Sequence, residues 1–220
     1  MELLVKATGI LLFLIFGLMG YFSTQAKLPQ RYQGLQLTKS VKEVGEIIVD
    51  REGTALDDIR KSMDADNSRL IPLYWLLFIV IALILARQNS SLASRFAVAA
   101  SLSITAAAGL DYLENFRTLE VVQAILNNSA SDELVGGMRL ASLGKWLFFF
   151  LTMGLLAPTF FWRIDWIQLV GYLYLAAFFL GWTGLFYPPA IQWAFMPLIL
   201  ALPLSAFIFA FWPVSFLKGN

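Results

Sequence analysis

The stretch FAVAASLSITAAAGLDYLENF, residues 96–116, decides the fold of this chain. It is apolar over roughly 20 residues, the length that a helix needs to cross the hydrocarbon core of a bilayer. Its last turns carry Asp111, Glu114 and Asn115. Such groups are rare inside a membrane span and costly to place there. The stretch therefore predicts both a membrane helix and a polar site near one of its ends.

The rest of the chain has the same apolar character. Of its 220 residues, 59% are hydrophobic and only 14% are charged, which is more apolar surface than a soluble domain of this size can bury. Six stretches are long and apolar enough to span a membrane. These stretches are residues 3–22, 70–86, 96–116, 140–161, 166–186 and 191–212. We therefore expect an all-α integral membrane protein, a single membrane domain over residues 1–220 with about six transmembrane helices.

One polar segment interrupts the chain between the first and second predicted spans. Residues 27–69 hold eight of the 16 basic and eight of the 15 acidic residues. Ser40 followed by Glu43 is the pattern of a helix-capping box, and we expect the polar residues 66–68 to cap the second span. The segment predicts a small extramembrane helical insertion over residues 26–69. A packed connector is the expected role, with regulation or partner binding as the alternative.

Missing residue types exclude several classes of protein. The chain has no histidine and no cysteine, so it cannot supply haem imidazoles, the usual zinc ligands, an iron–sulfur cluster or a cysteine nucleophile. Its net charge of +1 is too small for a nucleic-acid surface. We therefore expect no cofactor, no metal site and no nucleic-acid partner.

Two neighbouring spans bring opposite charges to one depth in the membrane. Asp111 lies five residues before the end of the third stretch, and Lys145 lies five residues after the start of the fourth. At about 1.5 Å per residue, both lie about 7–8 Å inside the same membrane face. Glu114 and Asn115 share the helical face of Asp111. The residues of the predicted intramembrane polar network, which is also the predicted ligand site, are Asp111, Tyr112, Glu114, Asn115, Arg117 and Lys145.

The predicted site holds more acid than base, and several outcomes follow. Arg117, one turn beyond Glu114, can compensate the surplus charge and make the network a structural ion pair. Otherwise one carboxyl group carries a proton, or a cation enters the site. Paired carboxylates also suit general acid–base catalysis, but no nucleophile, phosphate-binding loop or metal-ligand spacing accompanies them. We therefore predict no catalytic residues and a protein that is not an enzyme.

Several of these motifs together resemble a pattern found in small uncharacterised bacterial multi-pass membrane proteins. Two shared features are a Leu-Asp-x-x-Glu-Asn motif that ends the third span, here residues 110–115, and a lysine in the fourth span, here Lys145. Two others are a Leu-Glu-Leu-type segment followed by an amphipathic helix, here residues 35–49, and an Asp-x-x-Phe-Ile-x-x-Tyr-like entry to the second span, here residues 67–74. The similarity covers roughly residues 35–150. Gln36 and Asn67 stand where the pattern has acids. The resemblance implies a membrane topology and a polar site, but no reaction.

Basic residues in the short connections predict the orientation of the chain. Arg117 and Arg139 lie on one side of the membrane, and a larger group lies on the other. The residues of this larger group are Lys6, Arg87, Arg95, Arg163 and Lys218. We therefore expect both termini in the cytoplasm, in a bacterial cytoplasmic membrane. The first span is expected to be a retained anchor. The alternative is a signal peptide, with Thr24 and Ala26 as the small residues of its cleavage site.

The leading functional hypothesis is binding at the polar intramembrane site. Its ligand is expected to be a small polar molecule, a lipid headgroup or a helix of a partner membrane protein, with the lipid bilayer as the constant partner. One alternative is a small cation- or proton-coupled transporter, in which the carboxylates take up and release a cation. The other alternative is a lipid-modifying membrane enzyme that uses the paired carboxylates.

Overall fold

The computed structural model describes residues 2–26, 34–48, 55–87, 90–161, 166–188 and 190–212. Within these ranges the chain forms seven α-helices, a short 3-10 turn at Leu35–Leu37 and no β-strand. The all-α expectation is confirmed. The helices are α1 (Glu2–Ala26), α2 (Val41–Ile47), α3 (Ala55–Leu85), α4 (Ser91–Leu126), α5 (Asp132–Phe161), α6 (Gln168–Gly184) and α7 (Ala190–Phe211).

Five of the helices are long and apolar enough to cross a membrane: α1, α3, α4, α5 and α7. This supports a multi-pass membrane protein. The fifth stretch predicted from the sequence forms α6, which has 17 residues, so a sixth crossing stays a prediction. The helix α7 continues through Pro197 and Pro203.

The chain folds as two compact units. The first contains Met1–Leu18, Leu73–Ala106 and Trp146–Asn220, and the second contains Met19–Pro72 and Ala107–Lys145. Four helices, α1, α3, α4 and α5, therefore contribute residues to both units. The described part of the insertion belongs to the second unit.

Close helix contacts and aromatic side chains build the first unit. At Gly9 of α1, a Cβ atom would lie 2.4 Å from the backbone nitrogen of Ala210 in α7, so only glycine allows this approach. The Trp146 ring stacks on Phe150 with 5.8 Å between centroids. The hydroxyls of Tyr174 and Ser205 are 3.1 Å apart and join α6 to α7. The described residues of this unit form an apolar helical bundle.

The insertion packs its apolar side chains against α4 and α5 in the second unit, as expected of a packed connector. The resulting buried cluster joins apolar residues of the insertion to the ends of both helices. Its members are Leu35, Val44, Ile48, Ala55, Ile59, Met63, Val121, Val122, Val135 and Met138. The predicted capping box is present at α2, where the Ser40 side chain accepts a hydrogen bond from the Glu43 backbone. The Glu43 carboxylate in turn accepts from the backbone nitrogen of Lys39 at 2.7 Å.

Two features of this unit differ from what the sequence suggests. The 23 residues between the third and fourth predicted spans, 117–139, are not a single loop, because α4 continues to Leu126 and α5 begins at Asp132. Packing against the insertion stabilises these extensions. Residues 66–68 do not cap a helix either. They lie in a π-helical turn, Asp66–Leu70, inside the continuous helix α3.

Candidate functional site

Helix α4 places polar side chains on one buried face in the second unit. Asp111, Glu114, Asn115 and Thr118 follow one another at intervals of three, one and three residues, which directs all four to the same side of a helix. Asp111 is 6% exposed and Glu114 is 0% exposed. The Thr118 hydroxyl donates to the backbone oxygen of Glu114 at 2.8 Å. The face therefore presents two acids to its neighbours without access to bulk water.

Helix α5 supplies the base that faces these acids. Met138, Ser142 and Lys145 lie on one face at intervals of four and three residues, so the apolar contact with the insertion continues directly into the polar site. Lys145 is 8% exposed. Its Nζ donates to Asp111 Oδ1 at 2.9 Å and forms an ion pair with Glu114 Oε2. The contact predicted between the lysine and both carboxylates is present.

Helix α3 adds a third acid that the sequence analysis did not assign to the site. Asn115 Nδ2 donates to Asp66 Oδ2 at 2.7 Å and to Asn67 Oδ1 at 2.8 Å. These two bonds use both amide hydrogens of Asn115. The Asp66 carboxylate also interacts electrostatically with Asp111 and Lys145. We call Asp66, Asp111, Glu114 and Lys145 the acid–lysine cluster.

A signal for Asp66 is present in the sequence. Ile59 and Met63 are buried in the apolar cluster of the insertion, and Asp66 follows Met63 by three residues. The same helical face that carries the apolar residues therefore carries the acid. Because residues 66–68 also have the pattern of a helix cap, the sequence analysis ended the helical face before Asp66.

Two predicted site residues lie at the margin of the cluster or away from it. Tyr112 is 42% exposed, and its hydroxyl donates to the backbone oxygen of Asn67 at 2.9 Å. Arg117 does not compensate the acids, because its guanidinium pairs with Glu120 at 2.8 Å. It follows Asp111 by six residues, about 120° away from it around the helix, and so points away from Lys145.

Glu114 has an incomplete set of partners. Its Oε2 contacts Lys145, whereas its buried Oε1 accepts no hydrogen bond from any described residue. The fully buried Ser142 hydroxyl faces this carboxyl group without completing an aligned hydrogen bond. A buried polar atom without a hydrogen bond is costly, so this carboxyl group is where the cluster is least satisfied.

The cluster is a charged, largely buried site within the second unit. Three carboxylates and one ammonium would leave two negative charges without compensation. Buried charges of this kind require pairing or neutralisation. Among the described residues, no group of three or more acids is arranged to hold a metal ion. The cluster can take up and release a positively charged group, because it holds three acids and only one base.

Comparison of the sequence with protein-family models found no match, and neither did the comparisons with curated proteins and with solved structures. The function is therefore inferred from the geometry of the acid–lysine cluster.

Proposed function

We propose that this chain is a non-enzymatic membrane protein that binds a small positively charged ligand at the acid–lysine cluster. The observation that supports the proposal is the contact of Lys145 with Asp111 and Glu114 in a buried site, where the Asp66 carboxylate adds a third negative charge that interacts electrostatically with Asp111 and Lys145. A cationic ligand compensates the surplus negative charge, whereas an anionic lipid headgroup would increase it. Of the polar ligands that the sequence suggests, a cation or the cationic part of a headgroup is favoured.

We also propose six spans, with both termini in the cytoplasm of a bacterium. The 17 residues of α6 extend about 25 Å, close to the thickness of a hydrocarbon core. The side that collects Lys6, Arg87 and Arg95 is the cytoplasmic side by the positive-inside rule. In this orientation the cluster lies near the outer leaflet. The resemblance to small bacterial multi-pass membrane proteins, carried by residues 110–115 and Lys145, is part of the same proposal.

A cation- or proton-coupled carrier is the second candidate, and the graded exposure of the acids favours it. Asp66 is half-buried, Asp111 is 6% exposed and Glu114 is 0% exposed. A cation that enters beside Asp66 meets successively deeper acids. Such a series of ionisable groups inside a membrane protein is typical of ion and proton pathways.

Ligand-dependent stability tests the binding proposal. Thermal unfolding of the purified protein in detergent is measured with sodium, potassium or ethylammonium chloride and across a pH series, with inorganic phosphate as the anionic probe. A ligand at 100 times its Kd raises the unfolding free energy by about 2.7 kcal/mol. We expect saturable stabilisation by one of the cations, the proton included. The Asp66→Asn variant, which has one negative charge fewer, should need a higher concentration of the cation for the same stabilisation, whereas variant Asp64→Asn, at an exposed acid of the same helix, should not.

Two outcomes contradict the binding proposal. One is a set of cation and pH responses that are the same in the wild-type protein and in the Asp66→Asn variant. The other is stabilisation by phosphate alone.

Vesicle flux tests the carrier. We expect reconstituted protein to move protons or one of the probe cations across the vesicle membrane. Variants Asp111→Asn and Glu114→Gln should abolish this flux while the unfolding midpoint is largely retained. Unchanged flux together with a large loss of stability would instead identify a structural ion pair.

A further inference from the structure

The three acids of the cluster differ in the support that each gives to a negative charge. Asp111 accepts a hydrogen bond from the Lys145 ammonium at 2.9 Å. Asp66 accepts one from Asn115 at 2.7 Å and is only half-buried. Charge-assisted hydrogen bonds of these lengths are the strong ones. Both aspartates therefore have the contacts that an ionised carboxylate needs.

Glu114 lacks equivalent support. It is 0% exposed, it contacts Lys145 through Oε2 alone, and its Oε1 accepts no hydrogen bond from the part of the chain that the structure describes. The single positive charge of Lys145 is shared with Asp111. An isolated buried carboxylate is costly and becomes neutral where it can. Glu114 is thus the acid that gains most from neutralisation.

The ionisable groups around Glu114 affect its protonation in opposite directions. Lys145 of α5 favours the carboxylate, and Asp111 of the same helix opposes it. Asp66 of α3 adds a third negative charge to the cluster through its interaction with Asp111. The Ser142 hydroxyl faces Glu114 and favours the carboxylate as a hydrogen-bond donor. Once the carboxyl group is protonated, the same hydroxyl oxygen can accept a hydrogen bond from it.

We infer that the cation bound by the cluster is the proton and that Glu114 holds it in the resting protein, an inference that rests on the proposed cation-binding function. The step is simple: the Glu114 carboxylate and one proton form a neutral carboxyl group, and no other bond changes. The cluster then carries two carboxylates and one ammonium, a net charge of −1 in place of −2. A proton needs only one oxygen atom, and no residue in the described ranges donates a hydrogen bond to Glu114 Oε1.

Infrared spectroscopy tests this assignment directly. A protonated carboxyl group has a carbonyl stretch well separated from the bands of a carboxylate, and the stretch shifts in heavy water. We expect the detergent-solubilised full chain at neutral pH to show one such band from a buried group. The band should disappear in the Glu114→Gln variant. It should persist in the Asp66→Asn variant and in the matched control Glu120→Gln, at a more exposed acid of the same helix. It should weaken in Asp111→Asn, because Glu114 then no longer shares Lys145 with Asp111.

A second variant keeps the test decisive if Glu114→Gln does not fold. Replacing the facing hydroxyl, Ser142→Ala, should move the band to higher frequency without loss of intensity, because the carboxyl group loses its hydrogen-bond acceptor. A band that is absent from the wild-type protein, or that disappears in Asp66→Asn while it persists in Glu114→Gln, overturns the inference. Saturable stabilisation by sodium or ethylammonium together with an absent band would overturn the inference and leave the proposed cation-binding function intact.

Discussion

Removal of the Lys145 ammonium should destabilise the protein strongly. The variant Lys145→Met keeps the length and apolar stem of the side chain but leaves the Asp111 carboxylate buried without its partner. At 2.9 Å and an effective dielectric constant of about 20, the attraction between these charges is about 6 kcal/mol. Desolvation of the ammonium offsets part of it. We therefore expect a loss of about 3–5 kcal/mol in unfolding free energy, the usual cost of breaking a buried pair.

The measurement is reversible unfolding in mixed micelles, and the chain offers a matched control. Lys6 pairs with Glu2 at 2.8 Å, but the two side chains are 43% and 50% exposed. Variant Lys6→Met should therefore cost only about 0.2–1 kcal/mol. The double variant Lys145→Met, Asp111→Asn should recover much of the loss, since it removes the orphaned charge. Equal costs for Lys145→Met and Lys6→Met would refute the buried-pair argument.

Two further predictions concern packing, and the same unfolding assay checks both. Variant Gly9→Ala should cost about 1–3 kcal/mol, because its Cβ would lie 2.4 Å from the Ala210 backbone nitrogen. Gly17→Ala, on the same helix with nothing within 4 Å, should be neutral or stabilising, and equal effects would contradict the close approach. Variant Ile59→Ala should cost about 2–5 kcal/mol and expose the insertion to protease. The exposed control Lys61→Ala should do neither, and a protease-resistant Ile59→Ala variant would argue against the packed insertion.

The contact between Lys145 and the two acids of α4 could be predicted because it depends on two simple quantities, depth in the membrane and direction around the helix. Neighbouring spans that form a hairpin bring residues at equal distances from their shared turn to one level. Direction around the helix then needs only the periodicity of Asp111 and Glu114. Both quantities can be read from residue positions without knowledge of packing.

Helical periodicity places Asp66 on the buried face of Ile59 and Met63, but local patterns could not show that this face meets Asn115. A cluster of polar residues before an apolar run is typical of a helix cap, and residues 66–68 have that pattern. The tertiary structure instead extends α3 through a π-helical turn, where hydrogen bonds from Asn115 fix the position of Asp66. The path of α3 through residues 66–70 therefore depends on contacts with residues more than 40 positions away in the sequence.

Hydropathy also does not predict where α4 ends and α5 begins. The polar residues between 117 and 139 indicate where the membrane ends, but a helix can continue in water if one of its faces is covered. Val121, Val122, Val135 and Met138 provide that face, and the insertion covers it. The sequence predicts the membrane boundary, and only packing decides where the helix ends.

Composition and residue order by themselves determined that this chain is helical and suited to a membrane, that histidine and cysteine chemistry is absent, and that Lys145 lies level with Asp111. These properties depend on transfer free energy and on distance along a helix, which are local. The tertiary structure alone decided that Asp66 joins the cluster, that Arg117 pairs with Glu120, and that Glu114 is the least supported acid. These outcomes depend on which helix faces meet, because the free energy of a buried charge is determined by all the groups around it.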